Sequence, residues 1–196
     1  MTDLTRSGVA AQADDRPAVT VPLSAASAAQ TRLLGRRLAS LLRRGDLVVL
    51  AGALGAGKTT LAAGIGAGLG VRGPVTSPTF VIARVHPSLT GGPDLVHADA
   101  YRLGSRLEVD DLDLDADLDH SVTVVEWGEG LVENLASAHL LVTITWPGPQ
   151  ARPGLRPAPE GQDDAGDEVR HVVVAGFGAR WAAAAADLRA VIAAPD

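Results

Sequence analysis

Residues 52–59 read Gly52-Ala-Leu-Gly-Ala-Gly57-Lys58-Thr59, a complete G-x-x-x-x-G-K-[ST] pattern, and no other stretch limits so sharply what this chain can fold into. The pattern works only as a turn between a buried strand and a helix, because its backbone amides and the helix start must point together at an anion. Both neighbours are present. Leu47–Ala51 is a short apolar run suited to a parallel strand buried on both faces, and residues 59–69 follow with helical character. Gly64, Gly66 and Gly68 weaken that helix. Lys58 is the only lysine, the other sixteen basic side chains being arginine. A forked guanidinium does not replace a compact ammonium on a flexible stem, which can reach between two phosphates.

At 196 residues the chain suits one domain, or one domain with tails. We expect a flexible tail over 1–17 and a single domain over 18–196. The chain lacks cysteine, which rules out disulfides and thiolate metal sites. The polar start of the sequence does not resemble a signal peptide, and no run approaches membrane-span length, so the expected location is cytoplasmic, without membrane contact. The net charge of -6 is concentrated: Glu108 to Asp119 holds seven carboxylates and no base. The remainder is nearly balanced and lacks the basic footprint of a nucleic-acid binder. The acidic stretch fails as a calcium loop, having neither the glycine nor the glutamate at the required offsets. It reads as a solvated helix or loop, or as an electronegative surface for a partner.

Five arginines, Arg32, Arg36, Arg37, Arg43 and Arg44, fall in one expected early helix whose core stripe is Leu34, Leu38, Leu41 and Leu42. Further strands are expected at Leu95–Tyr101 and Ser121–Trp127. Leu140–Trp146 and His171–Phe177 read as a late antiparallel hairpin. Between its arms lies a Pro-, Gly- and acid-rich insertion, 148–168, expected to be disordered. A closing helix spans 179–194, with Trp181, Ala185, Leu188 and Ile192 facing inward. The fold class is therefore α/β, with a P-loop NTPase-like central, mostly parallel sheet flanked by helices and a C-terminal antiparallel hairpin.

Phosphate chemistry also needs a divalent cation, held by the loop hydroxyl and by a carboxylate at the end of a neighbouring strand. Thr59 supplies the hydroxyl. Asp99 and Glu126 both qualify as the carboxylate, and the sequence does not rank them.

Four motifs occur in order: G-x-L-G-A-G-K-T-T at 52–60, Thr76-Ser-Pro-Thr-Phe80, His97-Ala-Asp-Ala-Tyr-Arg102, and Glu126-Trp127. Together, and over about residues 20–146, they resemble the TsaE (YjeE) family of bacterial P-loop ATPases needed to make threonylcarbamoyladenosine in tRNA. Two departures stand out. Ala53 occupies a position where the family usually carries an acid, and the insertion is longer than expected.

The resemblance implies that Gly52, Leu54, Gly55, Ala56, Gly57, Lys58, Thr59 and Thr60 hold the phosphates of ATP, and that Ser77–Phe80 forms a switch-like segment with Thr79 sensing the terminal phosphate. It implies a catalytic set of Lys58, Asp99 and Glu126 and a Mg²⁺ pair of Thr59 and Glu126, Asp99 and Glu126 dividing metal binding and water positioning between them. The implied activity is slow ATP hydrolysis coupled to resetting a complex of TsaD and TsaB, with tRNA met only through that complex. A nucleotide-gated assembly factor with negligible turnover and a small-molecule kinase remain the alternatives.

Overall fold

The structure, a computed structural model, describes residues 16–78, 82–103, 108, 118–146 and 169–194. The expected insertion, most of the acidic stretch, most of the N-terminal tail and Thr79 lie outside them. Seven strands form one sheet in the order β1-β7-β6-β2-β5-β4-β3. They are β1 Val19–Ala25, β2 Leu47–Ala51, β3 Ala83–His86, β4 Asp94–Asp99, β5 Ser121–Glu126, β6 His139–Thr145 and β7 Arg170–Phe177. The centre of the sheet is β2, whose five residues are all buried. It pairs in parallel with β5 on one side and β6 on the other, as its unbroken apolar run requires.

The sheet is not mostly parallel, which corrects the expectation. Parallel pairing is confined to β6-β2-β5-β4; the outer pairs β1–β7, β7–β6 and β3–β4 are antiparallel. The expected hairpin accounts for β6–β7, and the other two antiparallel pairs come from strands that the sequence did not reveal. β1 carries Pro22, a residue that demotes a run as a strand unless it lies at a sheet edge. β3 is four residues long, too short for a clear alternation. The strand ending in Asp99 stops two residues before Tyr101, which is 61% exposed.

Helices α1 (Ala28–Ala39), α2 (Lys58–Leu69), α3 (Ala179–Ala183) and α4 (Ala185–Ala193) contribute Leu34, Leu38, Leu61, Ile65, Trp181 and Leu188 to one large core cluster on a single face of the sheet. A smaller cluster on the other face centres on Leu47, Val49, Val96, Val125 and Val132, the last beside a short 3-10 turn at Glu133–Leu135. These four helices pack on the first face. The closing helix is interrupted at Ala184, and it is Ala184 that is buried while Ala185 is half-buried against the same core. α1 ends at Ala39, which leaves Arg43 and Arg44 beyond it.

α1 starts on a side-chain cap: Ser27 Oγ accepts from the Gln30 N–H at 3.2 Å, while Gln30 Oε1 accepts from the N–H of Ala26, one residue before the cap, at 2.7 Å. The glycines that weakened α2 as a sequence prediction are explained by packing. A Cβ on Gly64 would lie 2.2 Å from Arg32 O in α1, and one on Gly66 would lie 2.5 Å from Val75 Cγ2. The two helices thus touch backbone to backbone, which holds α2 and the loop before it against the sheet.

Two outcomes follow from this packing. Gly64→Ala should lower unfolding free energy by about 1–3 kcal/mol through overpacking, although alanine is ~1 kcal/mol better than glycine in an unpacked helix; urea denaturation reads the sign. Burial holds the imidazoles of His86 and His139 below their ordinary range. The unfolded chain therefore takes up protons near pH ~6.5 that the folded chain resists. Stability should be fullest above that pH and fall as the pH drops toward the lower folded values. His139 stacks on Phe177, so His139→Phe, which keeps an aromatic ring there, should make the loss between about pH 7.5 and about pH 5.5 shallower in the same assay.

Candidate phosphate-binding site

The loop leaves the carboxyl end of β2 and enters α2 at Gly57, whose left-handed φ of 109° is open to glycine at little cost. No side chain caps α2 there and no acid sits in its first turn, so the first amides and the helix dipole face outward toward an anion. A cavity of about 600 Å³ opens over this point, lined in part by Gly55, Gly57, Lys58, Thr59, Thr60, Asp99, Glu126 and Arg170. Leu54 at the loop tip is 80% exposed, whereas Ala56 is fully buried with its N–H donating to Ala53 O at 3.2 Å.

Lys58 Nζ curls back over its own loop, donating to Gly52 O at 2.8 Å and Ala53 O at 3.0 Å. It also lies 3.6 Å from the centre of the Trp127 ring, a cation–π contact. Burial pulls the ammonium below its ordinary pKa, and the Glu126 and Asp99 carboxylates oppose that pull. Trp127 reaches this position by adopting φ 61°, unusual for a bulky residue, with its N–H bonded to Leu50 O at 3.0 Å. Its ring meets Tyr101 at a centroid distance of 5.1 Å.

The two candidate carboxylates end neighbouring parallel strands in register, Asp99 opposite Glu126. Their partners differ. Thr59 Oγ1 donates to Glu126, 2.8 Å from Oε1 and 3.0 Å from Oε2. Asp99 Oδ1 accepts from the Tyr101 N–H at 2.9 Å, and Oδ2 accepts from Ser77 Oγ at 3.4 Å. One acid is thus joined to the loop hydroxyl and the other to the segment that leads toward residue 79.

Sequence reasoning named these groups but missed two others. His97, fully buried on β4, contacts Glu126 Oε1 through Nε2 at 2.9 Å. Arg170 opens β7, is 3% exposed, and would lie with its Nε 3.6 Å from a Cβ placed on Gly57. His97 lay inside a quoted motif and so carried a signal. Arg170 carried none, because it is the placement of β6 between β7 and β2 that brings the start of β7 beside the loop.

The family described as "Threonylcarbamoyl adenosine biosynthesis protein TsaE" matches residues 25–152. The tRNA threonylcarbamoyladenosine biosynthesis protein TsaE of Streptomyces coelicolor is 60% identical over 154 residues, covering 78% of this chain and 95% of the relative. The protein of the same name from Bacillus subtilis is 36% identical over 124 residues, 63% of this chain and 76% of its own. A solved structure titled "Crystal structure of Bacillus subtilus YdiB" superposes with a TM-score of 0.61 at 26% identity, covering 86% of this chain and 93% of that one. With its motifs in order, its loop seated between β2 and α2, and a family match across most of its length, the chain belongs to the TsaE family.

Proposed function

We propose that this chain binds ATP with Mg²⁺ and hydrolyses it slowly, as the ATP-driven component of the machinery that makes threonylcarbamoyladenosine in tRNA. The observation that carries the reading is the convergence of Thr59 Oγ1 on both oxygens of Glu126, at 2.8 and 3.0 Å, beside the loop that holds Lys58. Oxygens sharing an octahedral cation at about 2.0–2.1 Å stand about 2.9 Å apart, so this pair has the spacing and hardness that suit Mg²⁺. Among the described residues no three His, Asp or Glu side chains form a metal-holding group. Mg²⁺, when bound, supplies positive charge to the phosphate oxygens.

The chain's own residues do the rest. The loop amides and the start of α2 hold the phosphate chain, and Lys58 exchanges its two carbonyl partners for phosphate oxygens, lifting away from Trp127. Thr59 Oγ1 and the Glu126 carboxylate are the groups that would hold the cation. Asp99, steadied by the Tyr101 N–H, orients the attacking water. Positioning and charge stabilisation account for the catalysis, and no covalent intermediate on the protein is needed.

The family and the names of its relatives support a role in this tRNA modification. Coupling to a TsaD–TsaB complex is the form of that role we propose, with tRNA met through the complex. Among the described residues no helix is long and apolar enough to cross a membrane. A second reading, a nucleotide-gated assembly factor with negligible turnover, draws support from Lys58 being engaged by two carbonyls and an indole, and from Ala53 at the loop position usually acidic in the family.

Lys58→Ala should abolish ATP binding, measured by calorimetry, with the melting temperature unchanged; retained binding sinks the nucleotide site. Glu126→Gln should raise the Mg²⁺ concentration needed for hydrolysis. Asp99→Asn should instead lower kcat by about 10²-fold at saturating Mg²⁺. Phosphate release without an added acceptor separates an ATPase from a kinase. It should rise when TsaD and TsaB are added, whereas ATP-dependent binding to them without extra release would favour the pure switch.

A further inference from the structure

His97 is a polar ring in an apolar layer. It lies on the same face of β4 as Leu95 and Asp99, fully buried, and its Nδ1 has no hydrogen-bond partner. Burying an imidazole with one nitrogen unsatisfied costs free energy that a leucine of similar volume would not incur. The compensation is a single contact, Nε2 to Glu126 Oε1 at 2.9 Å. A carboxylate only accepts, so the proton belongs on Nε2, and Nδ1 is left as a bare acceptor. The opposite tautomer would set a lone pair against the carboxylate and bury an unpaired N–H.

Glutamate has three side-chain torsions, and in the resting arrangement Glu126 is held from two directions, by Thr59 and by His97. Those two bonds do not share a fate. A hydroxyl that turns toward a cation can no longer hold the carboxylate that turns toward the same cation. The bond from His97 approaches Oε1 from inside the sheet and leaves Oε2 uncommitted. We propose that His97 is a positioning residue that keeps Glu126 in its metal-facing orientation when Thr59 releases it, so that Mg²⁺ meets a carboxylate already in place. This rests on the Mg²⁺–ATP reading above. Partners of this kind, hydrogen-bonded to a metal ligand, are commonly worth about 10–100-fold in metal affinity.

Three variants separate positioning from packing. His97→Gln carries its amide nitrogen near the place of Nε2, His97→Asn carries it near the place of Nδ1, and His97→Leu carries no donor. The readout is binding of a fluorescent ATP analogue, titrated with Mg²⁺ and repeated in chelator, with thermal melting as a check on folding. Binding in chelator should be alike in all folded variants. The Mg²⁺ concentration for half-maximal effect should rise about 10–100-fold in the Leu and Asn variants and return to within a few-fold of wild type in the Gln variant. Wild-type Mg²⁺ dependence in either the Leu or the Asn variant, or a Gln variant no better than a folded Asn variant, would assign His97 to packing alone. Glu126→Gln, measured in parallel, distinguishes the two possible failures. If it too leaves the Mg²⁺ dependence at wild type, the metal site itself is wrong; if it shifts while the His97 variants do not, only the positioning role is lost.

Discussion

Burial of β2 on both faces is the constraint from which the site follows. Five consecutive apolar residues with no exposed edge must pair on both sides, since any backbone group left unpaired there has no water to turn to. That pairing places Leu50 in register with Glu126 on one side and Val142 on the other. It also fixes where the loop starts and, through the Trp127 N–H bond to Leu50 O, where β5 gives way to its turn. Thr59 and Glu126 are 67 residues apart in sequence and meet because β2 and β5 are neighbours.

A second constraint holds the far end of the loop. The backbone contact of α1 with α2 through Gly64 packs the helix after the loop tightly against its neighbour. An anion site made of backbone amides depends on such rigidity, because donors already aimed at the ligand cost nothing to reorganise when it arrives. The side chains around the loop are held differently. Lys58 is tied to two carbonyls and an indole, and Thr59 to a carboxylate, contacts that the ATP binding proposed above would exchange for phosphate and cation.

The central strands, the loop, α2 and the late hairpin were legible because each carries a local signal: an unbroken apolar run, a glycine pattern with one lysine, or two β-rich segments. β1 and β3 were not. An edge strand needs little hydrophobicity on its outer side, and both were recognisable only once β7 and β4 offered them an edge. The glycines of α2 misled in an instructive way, since they weaken the isolated helix while making possible the packing that holds it.

Among the site residues, the sequence by itself determined the kinds of group present: a loop that can cradle an anion, one ammonium, a hydroxyl, and two carboxylates on expected strands. Local spacing suffices for that, because the loop and its lysine lie within one turn of chain. Only the tertiary structure decided how the groups are shared out, giving Glu126 to Thr59 and His97, Asp99 to Ser77 and the Tyr101 amide, and Arg170 to the side of the loop. Those pairings depend on the order and register of strands far apart in the chain, and hydrogen bonds of about 3 Å leave no tolerance for a register one residue out.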